Sequence, residues 1–134
     1  MAELFRRAGV DKTSVIRVTG RGGLATLLWL CRRGYEQVGY VRHGPCPTDR
    51  CDLLLVLEGD DAGALAETLE QGPHLRNGGV LVVQTAETGA GEGADAVDQL
   101  LGRCGFRVEE PVHGRHRDLH FARRDTALAW KRAA

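Results

Sequence analysis

Residues 14–42 read SVIRVTGRGGLATLLWLCRRGYEQVGYVR, and this stretch constrains the fold more than any other. Val15, Ile16 and Val18 form a β-branched run of the kind found in strands buried on both faces. Thr19, Gly20, Arg21, Gly22 and Gly23 follow at once. Glycines let the backbone turn sharply and let an anionic group approach its N–H donors. The spacing then becomes helical. Leu24, Leu27, Leu28 and Cys31 fall on one face, broadened by Trp29 and Leu30, and this face is expected to pack on the sheet. Arg32 and Arg33 suit the negative end of the helix dipole, and Gly34 ends the helix. Val38, Tyr40 and Val41 begin a second strand.

A chain of 134 residues with a hydrophobic fraction of 43% is expected to form one domain spanning residues 1–134, with a real core. Eighteen basic and eighteen acidic side chains cancel, so charge gives no reason to expect nucleic acid or an anionic membrane as partner. The basic residues are nearly all Arg, which reads more simply as a GC-rich bacterial genome than as phosphate binding. The first residues, MAELFRRAGVDK, hold no apolar core of signal-peptide length, and the apolar runs at 27–31 and 53–57 are too short to span a bilayer. The expected location is the cytoplasm, where Cys31, Cys46, Cys51 and Cys104 would be reduced. Cys31 and Cys104, on apolar helix faces, read as core packing.

The remaining elements follow from pattern. Residues 3–9 suit a short helix that packs Leu4 and Phe5, and residues 43–51 are a loop with two prolines and a glycine. Residues 52–59 form an apolar strand, followed by a helix opening at Asp60, Asp61 and Ala62 and stopped by Pro73. Asn77, Gly78 and Gly79 are expected to turn into a strand at 80–84. Residues 85–93 form a glycine-rich link with nothing to anchor it to a core. A helix over 94–104 shows Val97, Leu100, Leu101 and Cys104 on one face, with Gly105 as its cap. Strands at 106–110 and 119–123 flank a loop at 111–117, and a terminal helix over 126–134 carries Trp130. Alternating strands and helices call for a parallel sheet covered on both faces, a three-layer Rossmann-like α/β sandwich. The last two strands, joined by a short loop, should be antiparallel.

This pattern resembles the class I S-adenosylmethionine-dependent methyltransferases over residues 14–124. LRNGGVLVV at 75–83 is similar to the family's turn and strand, and LLGRCGFRVEE with HFARR is similar to its closing helix and hairpin. The resemblance implies a ligand at the strand ends. It also exposes departures. Arg17 stands where the family carries an acid for the methionine amine, and only Gly23 matches the family's glycine loop directly. Arg42 stands near the place of the acid that binds the ribose diol, and an Arg cannot accept those hydrogen bonds. Between the second strand and the next, residues 43–51 leave no room for a helix and crossover of ~10–12 residues or more. The family's third strand is therefore expected to be missing. A mainly parallel six-stranded sheet in the order 2-1-3-4-6-5 remains, with its last strand antiparallel and its second strand an edge. An open edge tends to acquire a partner or a cover, so a homodimer or a loop over that edge is expected.

The resemblance implies a shortened methyltransferase-like domain that binds a ligand or a protein partner without efficient methyl transfer. The alternative is an active S-adenosylmethionine-dependent enzyme, with Glu58 facing substrate at its strand end. A third reading starts from Gly20, Gly22 and Ala25, which fit a G-x-G-x-x-A dinucleotide fingerprint, with Arg42 and Arg21 placed for the 2′-phosphate of NADP. In each case the ligand would lie over Thr19, Gly20, Arg21, Gly22 and Gly23, near Arg42 and Glu58. No catalytic residue is assigned. His43, Cys46 and Cys51 lack the spacing and the fourth ligand of a common zinc site, so no metal site is expected. The basic tract His113, Arg115, His116, Arg117 and His120 reads as a solvated turn, because aromatics for a nucleic-acid surface make up only 5% of the chain.

Overall fold

The computed structural model describes residues 2–41, 50–57, 62–71, 74–86, 92–110, 112–113 and 117–124. The elements are α1 (Ala2–Ala8), β1 (Val15–Thr19), α2 (Gly23–Arg32), β2 (Gln37–Tyr40), β3 (Arg50–Val56) and α3 (Ala62–Gln71), followed by β4 (His74–Ala86), α4 (Glu92–Arg103), β5 (Phe106–Val108), β6 (Val112–His113) and β7 (Arg117–Arg124). The sheet runs β2-β1-β3-β4-β7-β5, with β6 beside β7. Pairs β1–β2, β1–β3 and β3–β4 are parallel, and β7 is antiparallel to β4 and β5. Without the two-residue β6, this is the expected order 2-1-3-4-6-5 with an antiparallel last strand. β6 itself falls where the sequence suggests only loop.

Strand alternation sends side chains to two separate cores. Ile16, Val18, Leu53, Leu55, Val80, Val82 and Phe121 face α1 and α2. Leu54, Val56, Leu81, Val83 and Ala122 face α3 and α4, where Leu65, Val97 and Leu101 meet them. The result is the expected three layers. Leu4 and Phe5 bury as expected, and each contributes about 1.5–3 kcal/mol of apolar burial that holds α1 down. Phe5 stacks on Trp29, and Arg7 lies 4.0 Å over the Phe121 ring.

β4 is longer than expected. Asn77, Gly78 and Gly79 do not precede the strand but interrupt its register with β3, where Cys51 pairs Leu75 and Leu53 pairs Val80. Gly78 has φ 80°, and a Cβ on Gly79 would lie 2.9 Å from the Arg76 carbonyl oxygen, so both positions need glycine.

Three burial expectations are corrected. Leu24 is 63% exposed and Leu28 57%, whereas Leu30 is fully buried. The glycine turn sets the helix phase: Gly23 is pressed against the sheet, so residues 23, 26–27 and 30 face inward and 24, 28 and 31 rotate outward. Cys31 is therefore exposed, as is Cys104 just past the end of α4, and Cys51 is the buried thiol among the described residues. His120 is not in a solvated turn but within β7, 2% exposed. The expected terminal helix and most of the glycine-rich link lie outside the described residues. No helix among the described residues is long and apolar enough to cross a membrane.

Candidate functional site

β1 is flanked by β2 on one side and β3 on the other, so the chain leaves it in one direction through α2 and resumes on the other side with β3. Such a switch point opens a crevice beyond the carboxyl ends of the strands. At that end the Val41 N–H donates to the Val18 carbonyl at 2.8 Å, and the Leu57 N–H donates to Thr19 at 3.0 Å. Thr19, Gly20, Arg21, Gly22 and Gly23 come together there as one tight turn. The Gly23 N–H donates to the Gly20 carbonyl at 3.1 Å, and Gly20 and Gly22 take φ values of 103° and 84°. Both lie in the region that side chains other than glycine's resist.

The glycines divide the work. Nothing lies within 4 Å of a Cβ built on Gly22, the N-cap of α2. No side chain caps this helix start, and its first turn carries no acid. The partial positive charge of α2 therefore opens on a bare glycine. Gly23 serves a different purpose. A Cβ there would lie 2.7 Å from Cδ2 of Tyr40 and closer still to Cε2. The phenol of Tyr40 in turn donates to the Gly20 carbonyl at 3.2 Å. The missing side chain of Gly23 thus makes room for an aromatic ring from β2. Sequence reading placed Tyr40 only in its strand, because this contact joins residues far apart in the chain.

Arg17 points to the face opposite Ile16 and Val18. Its Nη1 donates to the Ile16 carbonyl at 3.0 Å and the Gln37 carbonyl at 3.4 Å. A Cβ on Gly39 would sit 3.3 Å from the same nitrogen. The guanidinium thus ties β2 to β1, at the position where the resemblance implies a carboxylate for an amine. Arg42 and Glu58, and with Arg42 the NADP reading, fall outside the described residues, as do His43 and Cys46. Cys51, the third residue of that group, is 1% exposed. No cluster of three metal-ligating side chains occurs among the described residues.

A second polar group lies under α4. Thr85 Oγ1 is 3.0 Å from His120 Nε2, and His120 Nδ1 is 3.3 Å from Asp98 Oδ1. A neutral imidazole donating from Nδ1 to the carboxylate can accept the threonine hydroxyl at Nε2. Hydroxyl, imidazole and carboxylate stand in the order of a nucleophilic triad. Thr85 and His120 are 7% and 2% exposed, while Asp98 reaches the surface, and the set works as a clasp joining α4, β4 and β7. No sequence signal announces it, since its members come from three elements.

Asp11 lies in the turn before β1. The hydroxyl and N–H of Thr13 hold its carboxyl below the ordinary carboxylate range, with Ser14 adding to the effect.

No protein-family profile matches the chain, and no curated protein matches it by sequence. Solved structures do match. The ribosomal protein L11 methylase of Lactobacillus delbrueckii subsp. bulgaricus superposes with a TM-score of 0.64 at 15% identity, covering 92% of this chain and 77% of that one. A SAM-dependent methyltransferase of Aquifex aeolicus gives 0.62 at 13% identity, covering 92% and 88%. An S-adenosylmethionine-dependent methyltransferase of Mesorhizobium loti gives 0.62 at 15% identity, covering 91% and 96%. At such identities the likeness is one of architecture. The chain has the Rossmann-like fold of the class I S-adenosylmethionine-dependent methyltransferases.

Proposed function

We propose that this is a shortened methyltransferase-like domain that binds a small anionic nucleotide at the β1–α2 turn and does not transfer methyl groups efficiently. The observation that carries this is the start of α2: an unobstructed Gly22, no capping side chain and no acid in the first turn, at the sheet's switch point. An anionic group fits there. The methionine ammonium of S-adenosylmethionine fits poorly, because Arg17 offers a guanidinium where the family resemblance implies a carboxylate.

Calorimetry with adenosine 5′-monophosphate and with S-adenosylhomocysteine tests this. The monophosphate is expected to bind more tightly. The fold's likeness to S-adenosylmethionine-dependent enzymes favours a second reading, an active methyltransferase using the same turn. Micromolar binding of S-adenosylhomocysteine, tighter than the monophosphate, together with methyl transfer from S-adenosylmethionine, would establish it and overturn the first.

A further inference from the structure

Tyr40 does two things at once to the glycine turn. Its ring fills the space left by the missing side chain of Gly23, where the turn becomes helix. Its hydroxyl donates to the carbonyl of Gly20, where the turn leaves β1. That carbonyl already accepts the Gly23 N–H, so one oxygen holds the turn's own closing bond and the bond from β2. The strand register puts Tyr40 opposite Val18, which fixes the height of the ring against the turn. The residue is 36% exposed, so its ring reaches the surface beside the turn instead of vanishing into the core.

We propose that Tyr40 is a positioning residue: it braces the turn from Gly20 to Gly23 and so fixes the direction in which Gly22 and the start of α2 face a ligand. This rests on the ligand-binding role proposed above, but the brace itself can be measured without ligand. A ring that merely filled space would do as well without its hydroxyl. A brace needs the hydroxyl, because only that group reaches the far end of the turn.

Tyr40→Phe keeps the ring and removes that bond, and Tyr40→Ala removes both. The readouts are amide hydrogen exchange at Gly23 in the unliganded protein, the affinity for adenosine 5′-monophosphate, and the thermal midpoint. In Tyr40→Phe, Gly23 is expected to exchange about three- to tenfold faster, with a weakening of ligand affinity of similar size and little change in midpoint. Tyr40→Ala should show both effects more strongly. Unchanged exchange at Gly23 in Tyr40→Phe overturns the brace, whatever the ligand does. Faster exchange with unchanged affinity overturns the positioning role. Faster exchange in a protein that binds no adenosine 5′-monophosphate upholds the brace and removes the nucleotide proposal instead.

Discussion

Substituting Gly23 by Ala should have opposite effects on stability depending on what stands at position 40. Gly23 begins α2 and is not among the glycines with positive φ, so alanine suits its backbone. Taken alone, the change should stabilise by about 0.4–1 kcal/mol, through a stiffer unfolded chain and a better helix former. The new methyl would however meet the Tyr40 ring at 2.7 Å or less and Val18 Cγ1 at 3.3 Å. Overpacking of that kind costs about 1–3 kcal/mol, or else the ring swings out and forfeits its hydrogen bond to Gly20. The net expectation is a loss of ~0–2.5 kcal/mol in the natural chain. In a Tyr40→Ala background the clash is gone and the same substitution should stabilise. Gly22→Ala is the control. Its Cβ would meet nothing, but its φ of 84° costs ~1–2 kcal/mol in either background. Urea unfolding of the double-mutant cycle measures the coupling. A Gly23–Tyr40 coupling below ~0.5 kcal/mol would refute the idea that this glycine exists to admit the ring.

His120→Ala should cost about 2–4 kcal/mol, since it opens a cavity and takes the imidazole partner from the buried Thr85 hydroxyl, and a loss under ~1 kcal/mol by urea unfolding would show that the clasp does not hold α4. Asp11 has a depressed carboxyl pKa in the fold, so its contribution is present above the unfolded carboxylate range and disappears as pH falls through the folded value. The stability gap between the natural chain and Asp11→Ala should therefore close on acidification, and a gap that widens would contradict the turn's role. β2 is an outer strand, and Leu24 and Leu28 stand exposed on the neighbouring α2, so self-association through this edge is expected at high concentration. Light scattering should show a dimer that the double substitution Leu24→Glu with Leu28→Glu returns to monomer, and a natural chain that stays monomeric would defeat the expectation.

The architecture was legible because its signals are local. The run of β-branched residues before the glycines gives β1, and LLLV gives a strand buried on both faces. The shortness of 43–51 already implied that β3 lies directly beside β1. What escaped were facts of phase and of distance. The periodicity of α2 marks an apolar stripe but not which way it turns. That was decided by Gly23 packing on Tyr40, so Leu24 and Leu28 point outward and Leu30 inward. The same rotation moved Cys31 to the surface. The polar set of Thr85, Asp98 and His120 joins β4, α4 and β7, and no spacing within any one of them could reveal it. The bend from Thr19 to Gly23 is legible as a glycine turn because its residues are contiguous. Arg17 stands out in the sequence as a departure, but its hold on the Gln37 carbonyl depends on the register of β1 against β2.

The two cores also determine how damage should spread. Tyr40 lies on the α2 face in β2, whereas His120 lies on the α4 face in β7. Between them the sheet runs β2, β1, β3, β4 and β7, four spacings of about 4.8 Å, or roughly 19 Å. Sites so far apart, with no shared partner, usually add within ~0.3–0.5 kcal/mol. Combining Tyr40→Phe with His120→Ala should accordingly give the sum of the two single losses, read by urea unfolding. β1 and β3 contribute side chains to both faces, so the sheet itself is a route by which one face could feel the other. A coupling above ~1 kcal/mol would mean that the sheet transmits strain from the clasp to the glycine turn. The α4 face would then have to be counted among the determinants of ligand affinity.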